Sequence, residues 1–194
     1  MYTKLGGIET TDKPIFRSLE PVFGKQEYPA SAFYIFANVT LVDITGKILL
    51  TLSEDRAKKD IKIWTPPGGE TKVRKGQMPR DAAVAEVYEE VGIELDPKRL
   101  VLIGEPQFIY PTKEYDPYKG IGLIILSYGY SDIWWKKDIQ LNKVPEKGCM
   151  IVDYKATSLP SSIEEINAWD IKIYPNYAKK LLELYRMLNV RSRF

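Results

Sequence analysis

Glu86, Glu89 and Glu90 stand at i, i+3 and i+4 in a segment that otherwise reads as helix. At about 100° per residue they share an arc of about 100° on one helix face. Like charges at these spacings repel, costing about 0.2–0.5 kcal/mol per pair. Upstream lies Pro66-Pro67-Gly68-Gly69, a turn whose glycines let backbone approach a ligand closely. A carboxylate cluster beside such a turn calls for a positive partner, and a divalent cation carrying a phosphate is the obvious one. E-x-x-E-E alone would more often be a solvated face. The glycine turn, the closing Gly92 and the flanking strand patterns favour a site. The chain has no histidine, so the donors are oxygens, which suit a hard cation and argue against zinc.

The elements that must hold these residues follow from the pattern. Pro79 suits a first helical position and Asp81 the first turn. Val84, Val87 and Val91 form an apolar stripe beside the glutamates, and Gly92 suits a left-handed C-cap. Ala82 and Ala83, near the carboxylate side, leave room for a crossing loop. The spacing predicts a helix from Pro79 to Val91. Strands are predicted at Ser31–Val42 and Lys47–Leu52 around the turn Asp43-Ile44-Thr45-Gly46, and at Ile61–Trp64. Further strands are expected at Leu100–Gly104, Gln107–Tyr110, Gly120–Tyr130 and Met150–Tyr154. Ser162 to Glu165 reads as a capping box opening a short helix, and Asn176 as the cap of a last helix. The loop Pro111–Lys119 is rich in Pro, Tyr and charge, and binding residues often sit on such loops.

The run Glu86-Val87-Tyr88-Glu89-Glu90-Val91-Gly92-Ile93, with Gly69 upstream, resembles the Nudix box. That family writes it G-x5-E-x7-R-E-U-x-E-E-x-G-U, with U aliphatic. The C-terminal half fits at every fixed position. The N-terminal half departs, with Gln77 where the first glutamate belongs and Ala85 where the arginine belongs. Gly69 to Gln77 is eight positions instead of six, so the loop Glu70–Gly76 carries two extra residues. In the family the missing pair is understood to tie loop to helix. Its joint replacement here leaves no stranded charge and reads as a lost brace.

The resemblance spans about Ser31 to Leu188 and implies an α/β fold, the Nudix-type α/β/α sandwich with a mixed β-sheet. Residues 31–194 would form that domain, with 1–30 an N-terminal extension open to contacts in a homodimer. The implied activity is cleavage of the diphosphate linkage of a nucleoside diphosphate derivative: ADP-ribose, a nucleotide sugar or a dinucleoside polyphosphate. Glu86, Glu89 and Glu90 match the family's carboxylates for magnesium or manganese, with the carbonyl of Gly68 or Gly69 as backbone ligand. Glu89 and Glu90 double as catalytic candidates. Glu146 joins them, because some members carry a catalytic glutamate downstream and Pro145 and Gly148 flank it here; Glu114, Glu164 and Glu165 are weaker candidates. For substrate, Arg80 is a contact candidate. Trp64, Tyr110, Tyr115, Tyr118, Trp134 and Trp135 offer stacking surfaces for a base, although aromatic rings serve core packing more often. Tyr110 lies 17 residues past Ile93, where some dinucleoside-polyphosphate hydrolases carry a tyrosine. Two other readings stay open: a non-catalytic nucleotide-sensing Nudix domain and an RNA 5′-pyrophosphohydrolase. Gln77 and Ala85 favour the first. No basic stripe with interleaved aromatics favours the second.

Composition agrees with this. The chain has 194 residues, 44% of them hydrophobic, enough for one cored domain with an extension. A net charge of +2 gives no mandate for nucleic acid. Met1–Pro14 has no apolar h-region, and Ile121–Tyr128 is too short to span a bilayer. The single cysteine, Cys149, can build neither a disulfide nor a metal site, and a cytoplasmic location is expected.

Overall fold

The computed structural model describes residues 3–5, 8–10, 32–54, 62–110, 120–133, 139–141 and 150–191. The expectations placed on Glu114, Tyr115, Tyr118, Trp134, Trp135, Glu146 and Cys149, and on the loop 111–119, lie outside these residues. Strands β1 (Thr3–Leu5) and β2 (Ile8–Thr10) pair antiparallel with each other.

Strand β3 (Ala32–Asp43) is the axis of the fold. Its Ile35, Ala37, Val39 and Leu41 are fully buried and alternate with Phe36 and Asn38, which the pleat sends to the opposite face. Strand β4 (Lys47–Ser53) follows the predicted turn, then β5 (Ile63–Trp64) and β6 (Gly68–Glu70). Beyond the first long helix come β7 (Val101–Leu102), β8 (Gln107–Ile109), β9 (Ile121–Ile133), β10 (Ile151–Ser158) and β11 (Lys172–Ile173).

The main sheet runs β10-β4-β3-β9-β7, with β6 paired to β3 and β8 to β9. Among the described residues, only β3 and β9 in it are parallel, from Ala32↔Ile121 to Asp43↔Ile133 with a shift after Leu41. The sheet is therefore mixed, as expected. β3 meets β4 only at Val42↔Ile48, and its first half pairs instead with the glycine strand β6. A separate parallel pair joins β11 to β5.

Asp43 fixes the turn into β4. Its Oδ1 accepts from Thr45 N at 2.8 Å, Thr45 Oγ1 at 2.7 Å and Lys47 N at 2.9 Å. Burial alone would raise this carboxyl, but these donors outweigh it and hold it below the usual carboxylate value.

Helix α1 (Pro79–Val91) has the predicted bounds. Gly92 closes it at φ 72°, its N–H donating to Tyr88 O at 2.9 Å. The fully buried face is Ala82, Ala83, Val87 and Val91, and Val84 is only partly buried. The apolar stripe thus runs through Ala83, one residue earlier than the valine spacing proposed. It packs on Ile35, Ala37, Val39 and Leu41, each large side chain contributing about 1.5–3 kcal/mol when fully buried.

A short helix α2 (Ile163–Asn167) begins where Ser162 Oγ accepts from Glu165 N. The Glu165 carboxylate reaches back to Ser161 instead of Ser162, shifting the reciprocal half of the capping box by one residue. Helix α3 (Pro175–Arg191) starts at Pro175, which puts Asn176 inside the first turn and not at the cap. Proline is favoured at that first helical position, a preference that outranks the polar cap signal here. Helix α3 buries Tyr177, Leu181 and Leu184 against Val42, Ile48 and Ile103, forming the second core cluster. Tyr177 Oη lies 2.9 Å from Thr40 Oγ1 on β3, and Lys180 Nζ donates to the carbonyls of Ile103 and Glu105 at 2.8 Å each. With α1 on one face of the sheet and α3 on the other, the layers are α/β/α.

Candidate active site

Strand β6 carries the glycine turn between the sheet and α1. In register, Gly68 faces Asn38, Gly69 faces Ala37 and Glu70 faces Phe36 on β3. A Cβ built on Gly68 would stand 2.6 Å from Asn38 Cα, so the strands meet this closely only because residue 68 has no side chain. A Cβ built on Gly69 would fall on the carboxylate of Glu86. Two residues far apart in sequence thus share one small volume, the glycine supplying the space and the glutamate filling it.

The rest of the helix is turned against ordinary expectation. Glu86, Glu89 and Glu90 are all partly buried, while Tyr88 between them is 56% exposed. A merely solvated glutamate face would show the reverse. On the far side of Glu90, Thr51 Oγ1 lies 3.4 Å from Glu90 Oε2 and 3.2 Å from Thr65 O. The donor set is carboxylate and carbonyl oxygen beside a glycine cradle, which fits a hard divalent cation. Among the described residues, no three acidic, histidine or cysteine side chains converge on one point.

Beside β6, on the α3 side of the sheet, opens a cavity of about 460 Å³. Phe36, Ile109, Leu123 and Ile125 give it apolar walls, and Asn38, Gln107, Ser127 and Asn176 add polar groups. Gly69 lines this cavity and also touches Glu86, so one residue joins cavity and carboxylate cluster. Gln107 Nε2 donates to Asn176 O at 2.9 Å, tying β8 to the start of α3 at the rim. A smaller cavity of about 340 Å³ lies elsewhere, beside Lys98, Arg99 and Tyr130.

The loop before α1 is held by the residue that departs from the motif. Gln77 Oε1 accepts from Lys72 N at 2.9 Å, and Gln77 N donates to Lys72 O at 3.3 Å. The lost brace is replaced by a clamp within the lengthened loop.

A family model for the NUDIX domain matches residues 35–177, well over half of the chain. The chain belongs to the Nudix family. It is a hydrolase of that family, and the expected α/β sandwich is its fold. Solved Nudix structures superpose on it at low sequence identity. A C. elegans Ap4A hydrolase is 20% identical, with TM-score 0.51, over 80% of this chain and 98% of that one. A NUDIX hydrolase from Nitrosomonas europaea is 17% identical, with TM-score 0.55, over 79% and 88%. A MutT protein from Methanosarcina mazei is 18% identical, with TM-score 0.52, over 81% and 95%. No curated protein matches this Nudix chain in sequence.

Against this family background the site residues separate. Gly69 and Glu86 meet directly, and Glu89 and Glu90 follow Glu86 on α1 at three and four positions along. Arg80 is exposed on the first turn of α1 and does not line the larger cavity. Trp64 is 8% exposed in the core under α3, and Tyr110 is 7% exposed with its ring edge-on to Phe33 at 5.5 Å. Neither lines the cavity; both rings are consumed by packing, since a large aromatic gains most when fully covered. The cavity's own residues, Asn38, Gln107 and Ser127, escaped the sequence reading. A signal existed: asparagine is depleted in strands, yet Asn38 interrupts an aromatic and β-branched run.

Proposed function

We propose that this Nudix protein is a metal-dependent pyrophosphohydrolase that cleaves the diphosphate linkage of a nucleoside diphosphate derivative. The observation that carries the reading is the Glu86 carboxylate seated on Gly69, at the edge of a cavity sized for a small molecule. Glu86, Glu89, Glu90 and the Gly69 carbonyl would hold magnesium or manganese. When bound, such an ion neutralises charge on the phosphates and activates water. Weaker screening in this partly buried setting raises the repulsion among the three carboxylates, and so would strengthen their attraction for a cation.

The protein's own residues do the remaining work. The apolar cavity walls hold the uncharged end of the substrate and exclude water from it. The glycine strand lets the phosphates pass close to backbone, and Arg80 at the mouth of α1 supplies a cation. Glu146 is the proposed general base, with Glu89 and Glu90 as the alternative bases. The non-catalytic alternative draws on Gln77 and Ala85. It is weakened by the Gln77 clamp, which restores order to the loop without the missing pair.

ADP-ribose, nucleotide sugars and dinucleoside polyphosphates are the proposed substrate classes. The likeness to the Ap4A hydrolase supports the last of them at fold level. Residues 1–30 are proposed as an extension that contacts a second copy. A cytoplasmic location is proposed from the lone cysteine, and among the described residues no helix is long and apolar enough to cross a membrane. The direct test is phosphate or nucleotide release across a panel of these compounds with magnesium or manganese. Metal-dependent release from one class supports the reading, and binding without any release would favour the sensing alternative.

A further inference from the structure

Strand β4 carries one polar side chain within an apolar run, Thr51 in Leu49-Leu50-Thr51-Leu52. Ile48, Leu50 and Leu52 turn to the α3 cluster and Leu49 to the α1 cluster, so the period of two sends Thr51 toward α1. Thr51 is 1% exposed, and valine would fill its volume without a polar atom. A hydroxyl in such a place costs stability unless it is hydrogen-bonded. Its presence therefore directs attention to its partners.

Two acceptors lie within reach of Thr51 Oγ1, Thr65 O at 3.2 Å and Glu90 Oε2 at 3.4 Å. Thr65 O already accepts from Thr51 N at 2.7 Å, and Thr65 N donates back to Thr51 O at 3.1 Å. The backbones are thus joined without help from the hydroxyl. The carboxylate is the stronger of the two acceptors, because it is charged. Thr51 itself is firmly placed, bridged to Thr65 on one side and in register with Tyr154 of β10 on the other. Glu90, in the last turn of α1, is a long side chain with several rotamers to lose. A hydroxyl on one of its oxygens does not bar a cation, since an ionised carboxylate has about four acceptor sites.

Resting on the metal reading above, we propose that Thr51 is a positioning residue for that site: its hydroxyl donates to Glu90 Oε2 and holds the carboxylate ready for the divalent cation. Thr51 acts only through Glu90. Ordering of the Glu90 side chain is then completed when the protein folds and not when the ion binds, as for other groups that orient a metal ligand from behind. Thr65 lines the larger cavity, so the bridge that seats Thr51 also ties the cavity wall to the carboxylate.

The test is manganese affinity of the full-length protein, measured by calorimetry without substrate, in wild type, Thr51→Val and Thr51→Ser. Valine keeps the branched shape and loses the hydroxyl, whereas serine keeps the hydroxyl. Thr51→Val is expected to weaken manganese binding about tenfold or more while its thermal transition is kept. Thr51→Ser should stay within about threefold of wild type. In a Glu90→Ala background the valine change should have no further effect, because the group it acts through is gone. Wild-type affinity in Thr51→Val, an equal loss in Thr51→Ser, or an undiminished loss in the Glu90→Ala background would each overturn the proposal. Should Thr51→Val not fold, Thr51→Ala carries the same expectations. A wild type that binds no manganese would sink the metal reading as well, whereas manganese binding indifferent to Thr51→Val would sink this assignment alone.

Discussion

The carboxylate of Glu86 occupies the space in which a Cβ on Gly69 would lie. This contact links the glycine turn to the helix and makes a definite prediction. Gly69→Ala pushes the far end of a flexible side chain, so its stability cost should stay below about 3 kcal/mol. Turnover should fall by about 10²-fold, the scale of displacing a positioned electrostatic group. Removing the obstructing side chain in Gly69→Ala with Glu86→Ala should relieve the clash, so the pair should cost less stability than the two singles together. Additive losses in denaturant unfolding would mean that the two residues do not share this space.

The loop before the helix offers a second test. Gln77 Oε1 accepts from Lys72 N, so Gln77→Ala should cost about 0.5–1.5 kcal/mol, the net value of one hydrogen bond. Gln77→Glu keeps an acceptor in place and should be close to neutral. Hydrogen exchange at the Lys72 amide should quicken in the alanine variant alone. Equal exchange in both variants would show that the clamp depends on other contacts.

Much of this was legible in the sequence, and the reasons are local. Helix α1 announced itself through Pro79, its buried valines and Gly92, all signals within one segment. The turn at Asp43 and the strands around it were equally local. What was hidden depends on pairing across the chain. The parallel match of Ala32 with Ile121 and of Lys172 with Ile63 joins strands whose partners no neighbouring residue specifies. The fates of Trp64 and Tyr110 were hidden for the same reason, because an aromatic side chain serves a core or a binding site alike. Asn38 was visible only as a misfit within its strand, and the fold was needed to put a cavity beside it.

Asp43 predicts a pH dependence. Its folded pKa lies below the ordinary 3.8, so its contribution is fully present above the unfolded value and is lost as pH falls through the folded one. Asp43→Ala should therefore destabilise by about 1–3 kcal/mol at neutral pH, since it removes the charged acceptor that three donors of the turn share. The gap from wild type should narrow as pH drops below 3.8. A gap that stays constant down to acid unfolding would show that the carboxylate's charge plays no part in holding the turn.

The central claim is that Glu86, Glu89 and Glu90 serve a metal and not the surface. Its most direct test is metal-dependent turnover of Glu89→Gln and Glu90→Gln on the best substrate of the panel, with folding monitored alongside. Each change removes one charge from a repelling cluster, so thermal stability should be kept or slightly raised. Turnover at saturating magnesium or manganese should nonetheless fall by about 10²-fold or more in both. Near wild-type turnover in both variants at saturating metal would contradict the account.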